Sequence, residues 1–189
     1  VHKIKVKRHT RKLNKERWEG IKVQAEAHHT TPSIVLLTCY MIILEKWSNQ
    51  ENFYVNVPLF NRKHINKQAN NIIADFTNLL LVEHIPKPNE KFVETLERVK
   101  QTFIQNVAHS DYSGVNVQRD ISKQHGTQLN VAPVVFACNI DYELEDDETI
   151  NTLGNMTYMI SQTPGVWLDF QSYIKQDELL ICWDKVDAL

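Results

Sequence analysis

The run Ile160-Ser-Gln-Thr-Pro-Gly-Val-Trp-Leu-Asp169-Phe-Gln171 holds the side chain best placed to move a proton. It sets one acid, Asp169, among Trp167, Leu168 and Phe170, two residues before the amide of Gln171. Strand alternation sends Trp167, Asp169 and Gln171 to one face and Leu168 and Phe170 to the other. A carboxylate beside a Trp on a strand face loses hydration. That raises its pKa toward values useful for proton transfer. The bland alternative is an Asp that caps a turn or pairs with a surface Lys.

The elements that must position this acid follow from periodicity. Ile4 to His9 alternates apolar and basic residues and predicts an exposed or edge strand. Asn14 caps a helix carrying Trp18, Ile21 and Ala25 at helical spacing. Thr31-Pro32 starts a second helix, apolar nearly all round, that runs through Trp47 and should be buried. His28-His29 reads as a polar turn before it. Strands are predicted from Phe53 to Leu59 and from Asn78 to His84. Phe92, Leu96, Val99, Phe103 and Val107 mark an amphipathic helix, and Val115 to Gln124 a shorter one ending near Gly126. Ala132 to Cys138 is a continuous apolar strand of the kind found deep in a sheet. Further strands are expected at Met156–Ser161, Trp167–Tyr173 and Leu179–Trp183. Strands alternating with helices predict a layered α/β fold.

The bulk numbers exclude several classes. At 189 residues the chain is one ordinary domain, and 42% apolar with 23% charged residues is a soluble globular composition. A net charge of −2 argues against general nucleic-acid binding. Eight of the first 17 residues are Lys or Arg, expected as a solvated strand and helix face rather than a nucleic-acid arm. No apolar run reaches the roughly 18 residues of a membrane helix. Cys39, Cys138 and Cys182 lack zinc-ligand spacing and read as reduced thiols of a cytosolic protein. No metal site is expected. The six carboxylates between Asp141 and Glu148 lack the calcium-loop pattern and predict a mobile acidic loop. Both ends look cut: there is no starting Met, and Asp184 is expected to cap a helix of barely one turn.

Several phrases, in order along nearly the whole chain, give it a family. They are Thr31-Pro-Ser33 with Leu36-Leu-Thr38 and Trp47-Ser48, then Asn56-Val-Pro-Leu-Phe-Asn-Arg62, Asp75-Phe-Thr77 and Pro133-Val-Val-Phe136. Ile160-Ser-Gln-Thr-Pro164 with Val166-Trp-Leu-Asp169 and Gln171 follows, then Trp183-Asp184 with Val186. In these the chain resembles the heterocyclisation domains of nonribosomal peptide synthetases, the condensation-domain variant that makes thiazoline and oxazoline rings. The resemblance implies a chloramphenicol-acetyltransferase-like lobe, a mixed β-sheet packed with α-helices. Residues 1–189 would be the C-terminal lobe, without its final helix and without the N-terminal lobe that completes the active-site tunnel.

The resemblance also implies chemistry. Such a domain condenses a carrier-bound acyl or peptidyl thioester with carrier-bound Cys, Ser or Thr and cyclodehydrates the product, plausibly for a yersiniabactin-like siderophore. Asp169 would be the acid/base of ring closure. The family Thr that usually accompanies it is replaced here by Ala137, and a methyl neither donates nor accepts. Asn61, Thr77, Cys138, Trp167 and Gln171 would orient substrate or shape the site. No bound cofactor is implied; the phosphopantetheine arms of carrier domains arrive as substrates. Implied partners are the N-terminal lobe, upstream and downstream peptidyl carrier domains and an adenylation domain, with no nucleic acid and no membrane. Two rivals stand beside this: a condensation-only or degenerate carrier-docking domain, and a stand-alone acyltransferase using a soluble CoA-type thioester. The chain alone is expected to be inactive.

Overall fold

Helix α2 (Pro32–Ser48) is apolar on nearly every face because it is covered on nearly every face. Ile34, Leu36, Leu37, Tyr40, Met41 and Leu44 are all buried along it. The Thr31 hydroxyl accepts from the Ile34 N–H at its start, with Pro32 as the first helical residue. The structure, a computed structural model, describes residues 5–48, 50, 52–60, 68, 71–73, 76–126, 131–145 and 147–187.

Beneath α2 lies a six-stranded mixed sheet. Its strands are β1 (Val6–Leu13), β2 (Phe53–Phe60), β3 (Thr77–His84), β4 (Val134–Glu143), β5 (Leu168–Lys175) and β6 (Glu178–Val186), in the order β1-β6-β5-β4-β2-β3. β4 is parallel to both neighbours, β2 and β5, and the other pairs are antiparallel. The run from Ala132 thus supplies a central strand. Helices α1 (Lys15–Ala27) and α3 (Phe92–Ala108) join α2 in the core through Trp18, Leu96 and Val99. Phe136 of β4 stacks on Phe170 of β5, and Tyr40 packs on both and edge-on to Trp183 of β6. This aromatic cluster glues the three strands to the helix layer.

The other sheet face is flanked by α4 (Gly114–His125), which sits against β3. A Cβ on Gly114 would lie 2.7 Å from the Leu79 carbonyl oxygen, so only glycine permits this approach.

Three expectations fail for identifiable reasons. Met156–Ser161 forms no strand: β4 and β5 are paired on both sides, and the segment joins neither edge strand, β1 or β3. Asp184 caps no helix: it lies inside β6, 2% exposed. The acidic stretch is not a loose loop. β4 runs on through Glu143, and a short helix, α5 (Asp147–Leu153), follows. Glu143 accepts the Gln176 N–H at 3.1 Å in the β5–β6 turn, and Glu145 pairs with Lys175 at 2.6 Å.

Gly114→Ala should destabilise the fold by about 1–3 kcal/mol, since the added methyl must push α4 off the β3 backbone. Urea denaturation would read this; an unchanged midpoint would mean that α4 is not fixed by the contact.

Candidate active site

The strand register builds the site. Arg8 of β1 is opposite Asp184 of β6, Asp184 opposite Asp169 of β5, Asp169 opposite Val135 of β4, and Val135 opposite Asn56 of β2. These five residues form one row across the sheet, on the face away from α2. The next row holds Thr10, Cys182, Gln171 and Ala137. Neighbouring strands are about 4.8 Å apart, so each row is a line of touching side chains.

The row puts two buried carboxylates face to face. Asp169 is 6% exposed and Asp184 is 2% exposed. Arg8 neutralises Asp184 with a two-pronged bond, Nε to Oδ1 at 2.7 Å and Nη2 to Oδ2 at 2.5 Å. The same Nη2 donates to Gln171 Oε1 at 3.2 Å, and the Tyr173 hydroxyl donates to that oxygen too. Gln171 Nε2 in turn donates to Asp169 Oδ2 at 3.0 Å. Asp169 Oδ1 is buried and accepts no hydrogen bond of good geometry.

Burial pushes the Asp169 acid above the ordinary aspartate value. The Gln171 hydrogen bond and the nearby Ser161 pull it back, the Asp184 charge raises it and the Arg8 charge lowers it. Burial also pushes the Tyr173 phenol up to about 12, so it stays a donor at neutral pH. Asp169 is thus an acid with raised proton affinity and one unsatisfied oxygen.

That acid lines two adjoining clefts. The larger, about 530 Å³, also takes in Asn56, Thr77, Ala137, Gln118 of α4 and Gln171. The smaller, about 370 Å³, is lined by Trp167, Asp169 and Asp184. Residues Ser161 and Thr163 to Val166 border both. They are held by Ser161 N–H donating to Asp184 Oδ2 at 2.8 Å and by a tight Pro-Gly turn. Val166 N–H reaches Thr163 O at 3.1 Å, with Gly165 at φ 80°, a conformation that favours glycine at the third turn position.

Of the residues singled out from the sequence, the structure brings Asp169, Ala137, Thr77 and Gln171 to one cleft. Trp167 borders the smaller cleft but is 50% exposed, so the sheet itself, more than the indole, dries the acid. Cys138 is not part of the site: it points to the helix face, accepting from the Ser172 hydroxyl at 3.2 Å. Its thiol is pushed up by burial. Asn61 lies outside the described residues, as does Asp75. Sequence reading missed Arg8, Tyr173, Asn56 and Gln118. Asn56 donates to Ala132 O at 2.6 Å and accepts from Gln118 at 3.2 Å, tying α4 to β2 beside the cleft. A polar residue at an inward position of an apolar strand was the available signal for Asn56. Arg8 was hidden among seven other basic residues.

Comparison with known proteins agrees with this architecture. Residues 1–171 match the Condensation domain family. Pyochelin synthetase PchE of Pseudomonas aeruginosa is 34% identical over 87% of the chain and 11% of its own length. Bacitracin synthase 1 of Bacillus licheniformis is 31% identical over 100% of the chain and 4% of its own length. The cyclization-docking bidomain of EpoB from Sorangium cellulosum, a nonribosomal peptide synthetase, superposes with a TM-score of 0.82 at 26% identity, over 99% of the chain and 38% of the bidomain. The chain therefore spans a small part of each relative. The sheet and helix layers are those of the chloramphenicol-acetyltransferase-like fold of its structural neighbours. By a match covering most of its length, the chain belongs to the condensation-domain family of nonribosomal peptide synthetases.

Proposed function

We propose that this chain is the C-terminal lobe of a heterocyclisation domain, and that Asp169 is its acid/base for cyclodehydration. The observation that carries the reading is Asp169 itself: buried, raised in proton affinity, with Oδ1 unsatisfied, on the wall of an open cleft. The relatives include PchE, a pyochelin synthetase, and MbtB of Mycolicibacterium paratuberculosis, a phenyloxazoline synthase 32% identical over 91% of the chain, which favours ring closure in a siderophore-type assembly line.

In this reading the partners are the N-terminal lobe, two carrier domains and an adenylation domain. The amine of carrier-bound Cys, Ser or Thr attacks the upstream thioester. A C–N bond forms, the C–S bond breaks, and the upstream phosphopantetheine thiol leaves. The side-chain thiol or hydroxyl then adds to the new amide carbonyl carbon. Departure of that oxygen as water needs a proton, and formation of the C=N bond releases one from nitrogen. A carboxyl of raised pKa can deliver the first and accept the second. Thr77 and Gln118 border the same cleft as polar groups that can orient the amide.

Ala137 favours a second reading. It lines the cleft, one strand over from Gln171, where a hydroxyl would stand within reach of the Asp169 site. With a methyl there, the domain condenses and leaves the linear amide.

Three outcomes test these readings. Asp169→Asn in the synthetase that carries this chain should lower cyclised product by a factor of roughly 10²–10⁴ and leave amide formation much less affected; mass spectrometry separates the two products by one water, and unchanged cyclisation removes Asp169 from the mechanism. Ala137→Thr should raise the cyclised fraction, and no gain would favour the condensation-only reading. The third outcome concerns stability. Asp169 holds its proton more tightly folded than unfolded, so ionisation penalises the fold above the folded midpoint and the penalty fades as pH falls through it. Asp169→Asn should therefore raise the melting temperature at neutral pH, with the gain shrinking as pH falls through the folded midpoint and gone by about pH 4. A gain of equal size at both pH values would show that the acid is not perturbed.

A further inference from the structure

We propose that Arg8 is a positioning residue: by donating to Gln171 Oε1 it locks the amide of Gln171 so that Nε2 faces Asp169. The reaction consequence rests on the heterocyclisation reading, but the orientation itself does not.

A glutamine amide is nearly symmetric in shape and opposite in polarity at its two ends. Turned one way, Gln171 donates to Asp169 and favours the carboxylate. Turned the other way, its carbonyl faces Asp169 and favours the protonated acid, which can donate to it. Nothing about Asp169 alone decides between these, since a carboxyl can play either part. The choice is made at the far end of the amide. There, Arg8 Nη2 at 3.2 Å and the Tyr173 hydroxyl both donate. An amide NH₂ turned toward them would face the guanidinium, which has no acceptor. The Tyr173 hydroxyl can donate or accept, so Arg8 is the partner that decides. Arg8 stays where it is because Asp184 grips it at both carboxylate oxygens. The lock therefore runs Asp184 to Arg8 to Gln171 to Asp169, through four side chains on three adjacent strands.

A lysine cannot replace this arginine. The guanidinium holds Asp184 through two nitrogens and still has a hydrogen for Gln171. An ammonium is a point charge without a planar fork and cannot span both partners in that geometry. Lysine would keep the positive charge beside Asp184 and lose the lock. That separation makes the proposal testable, because the charged and titratable groups around Asp169 stay in place: Asp184 and Cys182 on β6, Tyr173 on β5, Tyr40 on α2, and a cation at position 8.

The experiment is a carbon-13 NMR titration of the Asp169 carboxyl in this chain, in the unaltered protein, Arg8→Lys, Gln171→Met and the double variant. A hydrogen bond to a charged group is worth about one pH unit or somewhat more of proton affinity. Arg8→Lys should move the Asp169 midpoint up by about that much. Gln171→Met should move it by a similar amount, and the double variant should move it no further than Gln171→Met alone. The side-chain NH₂ signals of Gln171, distinct while it is locked, should shift toward the free-amide position in Arg8→Lys. An unmoved midpoint in Arg8→Lys overturns the proposal, as do additive shifts, which would mean that Arg8 acts by field or fold alone. If Arg8→Lys does not fold, Arg8→Met with Asp184→Leu removes the donor and its buried partner together. The Gln171 NH₂ signals should still move toward the free-amide position, and unmoved signals overturn the proposal. In the synthetase carrying this chain, the cyclised-to-linear ratio of Arg8→Lys should follow pH with its rising limb displaced upward. A titration shift without any cyclised product from the unaltered synthetase would sink the heterocyclisation reading and leave the lock standing. Cyclised product without a titration shift would do the reverse.

Discussion

Two carboxylates, Asp169 and Asp184, stand directly opposite each other on neighbouring antiparallel strands, both buried. Like charges in that position repel, and a protein interior screens them poorly. The sheet tolerates the pair because Arg8 takes one of them into a two-pronged ion pair. Much of the local architecture follows from that need. β1 adds to the edge of β6 and carries Arg8 into the row. Lys7, Lys12 and Lys15 then pair with Asp187, Glu178 and Asp177 along the same seam. Four basic residues of the N-terminal stretch thus have internal acidic partners. These outer pairs are exposed and contribute little each. The Arg8–Asp184 pair is the one whose loss would leave a buried charge without a partner.

The opposite face supplies rigidity. Phe136 and Phe170 stack across β4 and β5, with Tyr40 against both. Helix residues on one face thereby hold β4, β5 and β6 in the register that sets Asp169 between Val135 and Asp184 on the other. A slip of one residue would send Asp169 into the aromatic cluster and Phe170 into the cleft. The cleft face and the core face are thus specified together by period-two alternation.

That coupling explains what was legible in the sequence. Alternation around Asp169 separates it from Phe170 correctly, and the same pleat puts Ala137 on the cleft side and Cys138 on the helix side. Cys138 entered the site only through the family resemblance, which carries no facing. Helix starts at Asn14 and Thr31-Pro32 were readable because their chemistry is local: the Asn14 side chain accepts the Arg17 N–H at 3.1 Å. Asp184 was misread for the complementary reason. An Asp after a Trp near a chain end suggests a cap, and only the cross-strand neighbour Arg8, 176 positions earlier, turns it into a buried ion-pair partner. The acidic run from Asp141 was misread likewise, since Lys175 and the β5–β6 turn that use Glu145 and Glu143 lie about thirty residues on. Met156–Ser161 has strand-like residues but pairs with neither edge strand. Local signals survive in sequence; long-range partners do not.

Ala137 presents a methyl to the cleft beside Val135 on the same strand face. Asp169, Gln171, Tyr173 and Arg8 are connected to one another without it. The account depends most on Asp169 being a carboxyl of raised proton affinity. Its titration in the unaltered chain, followed by carbon-13 NMR, measures that directly. A midpoint clearly above the usual aspartate value of about 4 is predicted. A midpoint at or below that value would make Asp169 an ordinary ionised carboxylate, stabilised by Gln171 and Arg8, and would contradict its assignment as the proton-transfer group.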